Sequence, residues 1–199
     1  MSDMLTQLQR LVIASGNAGK VEEFRAYLAD LGVTLIPKPD SIDVEETGTT
    51  FIENAHLKAS QVAIATNEWA IADDSGLEVS ALDGAPGVLS ARYADTDSDR
   101  INRVLSELSN QPNREAQFVC AIAIASPDGA IVADAIGICK GAIAEFPRGK
   151  GGFGYDPIFL IPELQQTFGE ILPEVKAKIS HRANALRVLR SKLQYFLDH

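Results

Sequence analysis

Cysteine is scarce in this chain of 199 residues. Cys120 and Cys139 are the only two, each inside an apolar run and without the close spacing of metal-binding pairs. A disulfide framework is thereby excluded, and the two read as buried thiols of a reducing compartment. Long hydrophobic runs are also lacking. No stretch approaches the ~18 apolar residues of a membrane span, the N-terminus included. The expectation is a cytoplasmic protein with no membrane partner. Positive charge is in deficit, with 18 Lys and Arg against 27 Asp and Glu and a formal net charge of −9. A binder of the nucleic-acid backbone needs a basic face, so no nucleic-acid partner is expected. Repeats, low-complexity tracts and a clean linker are missing too. The length then suits one domain or two closely fused lobes, with enough core to need no structural metal.

What is present is strongly patterned. The apolar run Leu11-Val12-Ile13-Ala14 leads into Ser15-Gly16-Asn17-Ala18-Gly19-Lys20. The pattern predicts a strand over 10–15, a helix over 19–31 and a strand over 33–36. Pro37 and Pro39 open an acidic loop. A helix is expected over about 49–66, with Ile52, Ala55, Ala59 and Val62 inward and Asn54, Lys58 and Gln61 on the other side. A strand over 69–73 is expected to end in a turn at Asp74-Ser75-Gly76, and 83–87 reads as a loop. A helix over 97–108, capped by Thr96 or Asp97, should bury Ile101, Val104, Leu105 and Leu108. The β-rich stretches 116–125 and 130–146 flank Ser126-Pro127-Asp128-Gly129 as a hairpin. A Gly-rich loop over 149–154, a strand over 157–161 and a last helix over about 180–196 follow. The core face of that helix is Leu186, Leu189, Leu193 and Phe196. Alternating helices and strands with a central hairpin argue α/β or α+β with a mixed sheet.

Charge is unevenly placed. Residues 40–53 carry five acids and no Lys or Arg, whereas 176–192 carry six bases and no acid. These are two solvated faces, or the cation-holding and phosphate-holding parts of a metal–nucleotide site. Ser15–Lys20 suits an anion: glycines let backbone N–H groups approach a phosphate, and a helix N-terminus adds partial positive charge. It is too short for G-x-x-x-x-G-K-[ST], and Val21 follows the lysine, so it does not point to a kinase or GTPase. An ordinary strand-to-helix turn is the other reading. Asp73-Asp74-Ser75-Gly76 and Glu45-Glu46-Thr47-Gly48 offer carboxylates for Mg²⁺ or for taking a proton from water. A strand sends successive side chains to opposite faces, so only one of Asp73 and Asp74 aims at a given site. Gly151-Gly152-Phe153-Gly154-Tyr155-Asp156-Pro157 could present Phe153 to a base or carry it into the core. Ser180-His181-Arg182 is a helix start whose His and Arg can donate to a keto oxygen.

Taken together, several of these segments resemble the inosine triphosphate pyrophosphatase family of Ham-type nucleoside-triphosphate pyrophosphatases. They are Ser15–Lys20, Glu45–Ala55, Ile71–Leu77, Gly84–Gly87 with Ser90–Tyr93, Gly151–Phe159, and Lys176 with Ile179–Arg182. They fall in order from about residue 10 to 196, with no departure at a functional position. The resemblance implies one such domain over 1–199, with 1–9 a short N-terminal extension. Its fold is α/β, with two lobes around an elongated mixed β-sheet and a central active-site cleft. It implies hydrolysis of dITP, ITP and XTP to the monophosphate and pyrophosphate, Mg²⁺ as cofactor, and a homodimer. Ser15, Gly16, Asn17, Ala18, Gly19 and Lys20 would grip the triphosphate with Lys58 and Arg92. Glu46 and Asp74 would hold Mg²⁺, and Asp74 would be the catalytic base. Ser75 would contact the substrate. Phe153, Gly154, Tyr155, Asp156, Lys176, His181 and Arg182 would line the base pocket. A pyrimidine nucleotide pyrophosphatase and a non-catalytic nucleotide-binding module are the rival readings.

Overall fold

Leu11, Val12 and Ile13 are all buried, so β1 (Arg10–Ile13) is covered on both faces, as central parallel strands are. It pairs in parallel with β2 (Thr34–Pro37), Leu11 opposite Leu35, and with β3 (Trp69–Val79), Ile13 opposite Ile71. Parallel neighbours need crossover connections, which α1 (Ala18–Leu28) and α2 (Phe51–Thr66) provide. The structure is a computed structural model describing residues 9–29 and 32–198, with side chains described up to residue 192.

The remaining elements are α3 (Asp97–Glu107), β4 (Glu115–Ala125), β5 (Ile131–Ile143), β6 (Phe159–Ile161), β7 (Gln166–Thr167), α4 (Pro173–Ile179) and α5 (His181–Asp198). The strand order is β2-β1-β3-β4-β5-β6-β7. β6 runs antiparallel to β5 and β7, so the sheet is mixed and the α/β class expected from the pattern holds. Among the described residues, no helix is long and apolar enough to cross a membrane.

The chain divides into two units. The first comprises residues up to 74, 120–137 and those from 182 onward. Its core gathers Leu11 and Ile13 of β1, Phe24 and Leu28 of α1, Trp69 and Ile71 of β3, Ile122 of β4 and Leu186 and Leu189 of α5. The second comprises 75–119 and 138–181. Its core holds a cluster of three aromatic rings: Phe159 packs on Phe118, at 4.5 Å between centroids, and on Phe168, at 5.0 Å, and those two are 5.9 Å apart. Leu77, Val79, Ile101, Val104 and Leu108 complete it. Cys120 and Cys139 are free and buried.

Four local expectations are corrected. Asp74-Ser75-Gly76 is not a turn. β3 runs on through it to Val79, because Leu77 and Val79 alternate into the second core and outweigh the turn preference of Ser-Gly. Asn54 is fully buried while Ile52 is only half-buried, so the inward face of α2 is rotated toward Phe51, Asn54, Ala55 and Ala59. Pro157 lies in a short 3₁₀ turn, Asp156–Ile158, and the strand begins only at Phe159. Proline supplies no N–H to a ladder. Finally, a separate short helix, α4, precedes α5, started by Pro173 at its first turn and ended by extended Ser180. The end of the first helix at 30–31, residues 1–8 of the extension, and the Leu193 and Phe196 side chains lie outside the described residues.

Candidate active site

The turn after β1 is held from within. Asn17 caps α1, its Oδ1 accepting Lys20 N–H at 3.1 Å, and Ser15 Oγ accepts Asn17 N–H at 3.2 Å. Gly16, Asn17 and Ala18 are exposed, so this stretch of backbone can meet a ligand. Lys20 Nζ reaches Asp73 Oδ2 at 3.1 Å. Arg182, in the first turn of α5, binds the same oxygen through Nη2 at 2.7 Å and Nε at 3.3 Å, and pairs through Nη1 with Glu23 of α1. Asp73 is 1% exposed. Burial alone would raise its pKa. Lys20, Arg182 and Lys58 reverse that and hold the carboxyl well below the usual range.

The next residue faces the other way. Asp74 Oδ2 accepts Asn54 Nδ2–H at 3.0 Å, and Lys58 Nζ lies 3.4 Å from Asp74 Oδ1 and 2.6 Å from Glu46 Oε1. Asn54 and Lys58 stand four residues apart on α2, hence on one face. Burial, with Glu46 adding to it, pushes the Asp74 carboxyl above its ordinary value against Lys58, Lys20 and Asn54. Lys58 shows the converse. Burial would lower its pKa, and Asp74, Asp73 and Glu46 raise it. The strand alternation that left Asp73 and Asp74 undecided is thus resolved: Asp73 serves Lys20 and Arg182, and Asp74 meets Glu46 across Lys58.

Glu46 and Asp74 converge on one cationic group. Two carboxylates that share a cation supply the hard oxygen donors Mg²⁺ prefers, and Mg²⁺ commonly takes one or two protein carboxylates, leaving water and phosphates to complete it. The pair fits such an ion. Among the described residues no three His, Cys, Asp or Glu side chains gather as a metal-ligating group. Cavities of about 650 and 610 Å³ in the same unit are lined by other residues, Asp134, Val188 and Lys192 in one and His56 and Ser60 in the other. The carboxylate cluster stands out by its chemistry.

The second unit holds the aromatic loop. Asp156 Oδ2 accepts Phe153 N–H at 2.8 Å and Lys176 Nζ–H at 2.6 Å, and Lys176 Nζ sits 4.7 Å from the Phe153 ring centroid. Tyr155 is buried and donates to the Ser90 carbonyl at 2.9 Å, and Gly154 N–H donates to Asp97 at 3.0 Å. The buried His181 ring stacks on Phe118 at 4.7 Å. Phe153, Asp156 and Lys176 are therefore one assembly. Tyr155 anchors it to the core. Ser75 is half-buried and Arg92 exposed. Arg182, in the first unit, pairs with Asp73 and Glu23.

Gly152 tests this loop. Its φ is +73°, and a Cβ there would fall 1.9 Å from Asp156 Oδ2. Gly152→Ala should destabilise the protein by about 1–3 kcal/mol through displaced Asp156 and a strained backbone, read from urea unfolding. An unchanged unfolding midpoint would show that Asp156 does not clamp the loop.

A Gly-rich turn at a helix N-terminus and a carboxylate pair sharing the Lys58 ammonium, on a mixed α/β sheet, are the donor types that phosphates and divalent ions take. The chain belongs to the Ham1 family, whose sequence model matches residues 11–192. It is 58% identical over 188 residues to the dITP/XTP pyrophosphatase of Nostoc sp., covering 94% of this chain and 96% of that protein. It is 56% identical to the dITP/XTP pyrophosphatase of Synechocystis sp., covering 90% and 92%. The solved structure of a HAM1 protein from Coxiella burnetii superposes with a TM-score of 0.86 at 44% identity, covering 94% of this chain and 98% of that one. A nucleoside-triphosphatase, dITP/XTP pyrophosphatase, from Mycobacterium abscessus gives 0.73 at 40% identity, covering 92% and 98%.

Sequence reasoning proposed Lys20, Glu46, Lys58 and Asp74, offered Asp73 only as the alternative to Asp74, and gave no role to Asn54 or Glu23. For Asn54 the signal was present, since it shares a helix face with Lys58. For Glu23 none was, because its partner Arg182 stands 159 residues away.

Proposed function

We propose that the chain hydrolyses deaminated purine nucleoside triphosphates, dITP, ITP and XTP, to the monophosphate and pyrophosphate, keeping these bases out of DNA and RNA. The observation that carries the reading is Glu46 and Asp74 sharing one cation, in a chain whose relatives are named for this reaction. Ser15–Lys20 offers N–H groups and an ammonium to the phosphates, with Lys58 and Arg92 assisting. Glu46 and Asp74 would hold Mg²⁺, which when bound neutralises charge on phosphate oxygens. Asp74 orients a water and takes its proton as the water oxygen bonds the α-phosphorus and the α–β anhydride bond breaks. In the metal-free protein burial holds this carboxyl above its ordinary value. Lys20 faces the charge that develops on the departing pyrophosphate. Ser75 contacts the substrate.

Base recognition falls to Phe153, Gly154, Tyr155 and Asp156 with Lys176, His181 and Arg182. Donors aimed at a 6-keto oxygen leave adenine's amino group unmatched, and sites built on such donors discriminate strongly. The protein acts as a homodimer in the cytoplasm, a setting the two buried free thiols support.

Pyrophosphate release with Mg²⁺ should be compared for dITP, XTP, dGTP, dATP and UTP. The expected result is turnover of dITP and XTP at least about 10²-fold above dATP. Equal rates on all purines would remove the selectivity. Orthophosphate as product would remove the reaction class, and UTP ahead of dITP would transfer the chain to pyrimidine chemistry.

A further inference from the structure

Asn54 is polar yet fully buried, and both ends of its amide are used. Its Oδ1 accepts Gly48 N–H at 2.8 Å, and its Nδ2 donates to Asp74 Oδ2 at 3.0 Å. A backbone N–H can only donate, so the Gly48 contact fixes which way the amide lies and turns the NH₂ toward Asp74. The neighbouring side chain works on the same segment. Glu53 Oε2 accepts Thr49 N–H at 2.8 Å, Thr49 Oγ–H at 2.9 Å and Thr50 N–H at 3.1 Å. Two consecutive residues of α2 thus hold residues 48–50, the stretch that leads back to Glu46. One turn on, Lys58 closes the circuit to Glu46 and to Asp74 Oδ1. There is no slack in it: a Cβ on Gly48 would lie 2.7 Å from Asn54 Oδ1 and 2.7 Å from Glu53 Cβ.

We propose that Asn54 is a positioning residue: its amide ties the acidic loop at Gly48 to Asp74 Oδ2, sets the spacing of Glu46 and Asp74, and leaves Asp74 Oδ1 as the oxygen presented to the reacting groups. The glycine at 48 is part of the device, because only a residue without Cβ lets the loop approach Asn54 this closely. The inference rests on the proposed roles of Glu46 and Asp74.

The test is direct Mn²⁺ titration of the nucleotide-free protein, followed by electron paramagnetic resonance, alongside dITP turnover. Asn54→Ala removes the amide. Gly48→Ala displaces it while deleting no side chain of the cluster. Circular dichroism and thermal melting confirm folding. Each substitution should weaken Mn²⁺ binding by about 10–100-fold, as loss of a group orienting a metal-holding carboxylate does. A purely structural role would lower the melting temperature and leave Mn²⁺ affinity of the folded protein unchanged. In the double variant, Gly48→Ala should add less than about twofold, since both changes act through one bridge. Wild-type Mn²⁺ affinity in the folded variants, or fully additive effects, would overturn the proposal. Should Asn54→Ala fail to fold, Gly48→Ala alone decides. Asp74→Asn run in parallel separates the two levels. Full turnover in that variant means the reading of the site has failed, whereas its loss beside normal Asn54 and Gly48 variants means only this inference has.

Discussion

Asp74→Asn is expected to lower dITP turnover by about 10²–10⁴-fold with the fold retained. The fold should survive because the amide oxygen still accepts from Asn54, and only the longer contact, Lys58 Nζ at 3.4 Å, is given up. Stability should even rise slightly near neutral pH. The Asp74 carboxyl has a raised folded pKa, with burial the main cause. A group raised in this sense favours folding when protonated, and that contribution is lost as pH rises from its unfolded value, about 3.9, through its folded one. A neutral amide removes this penalty. Rate and stability therefore move in opposite directions, which a general disruption of the site would not produce. Near-normal turnover of the folded variant would remove Asp74 from its role as base.

The two adjacent aspartates show what the sequence discloses and what it hides. Their presence after an apolar run marked them as candidates, and strand alternation required them to face different ways. Which faces which partner depends on residues far along the chain: Arg182 meets Asp73 across 109 positions, and Lys58 meets Asp74 across 16. The turn at Ser15–Lys20 was legible because its cap, its glycines and its lysine are all local. The start of α2 was legible to within two residues because Thr50 and Glu53 form a reciprocal capping box. The continuation of β3 through Ser75-Gly76 was not, because the strand is sustained by Leu77 and Val79 entering a core assembled from residues 101–171. α4 escaped as well. At seven residues it is too short to display a helical period.

Arg182→Leu should have the largest effect on stability, about 3–5 kcal/mol in urea unfolding at neutral pH, because it strips one partner from a buried ion pair and leaves the other charged. Asp73 is 1% exposed and would keep Lys20 at 3.1 Å and the weak Cys120 Sγ–H donor at 3.8 Å. Glu23 loses its guanidinium at the same time. Leucine matches the stem of arginine but donates nothing to either carboxylate. The effect has a pH signature. Burial opposes ionisation of Asp73, and Lys20, Arg182 and Lys58 outweigh it, so its folded pKa lies well below the unfolded one. Its contribution is thus complete above the unfolded value, about 3.9, and lost only as pH falls toward the folded value. Without Arg182 the folded value moves up, the stabilising window narrows, and acid unfolding begins at a higher pH than in the wild type. Asp73→Asn added to Arg182→Leu should return much of the loss, because the orphaned carboxylate is then gone. The two changes would be strongly non-additive, as residues sharing one buried contact are. If Arg182→Leu stays within about 1 kcal/mol of the wild type, the exposed-pair range, the Lys20–Asp73–Arg182–Glu23 cluster does not hold α1, β3 and α5 together.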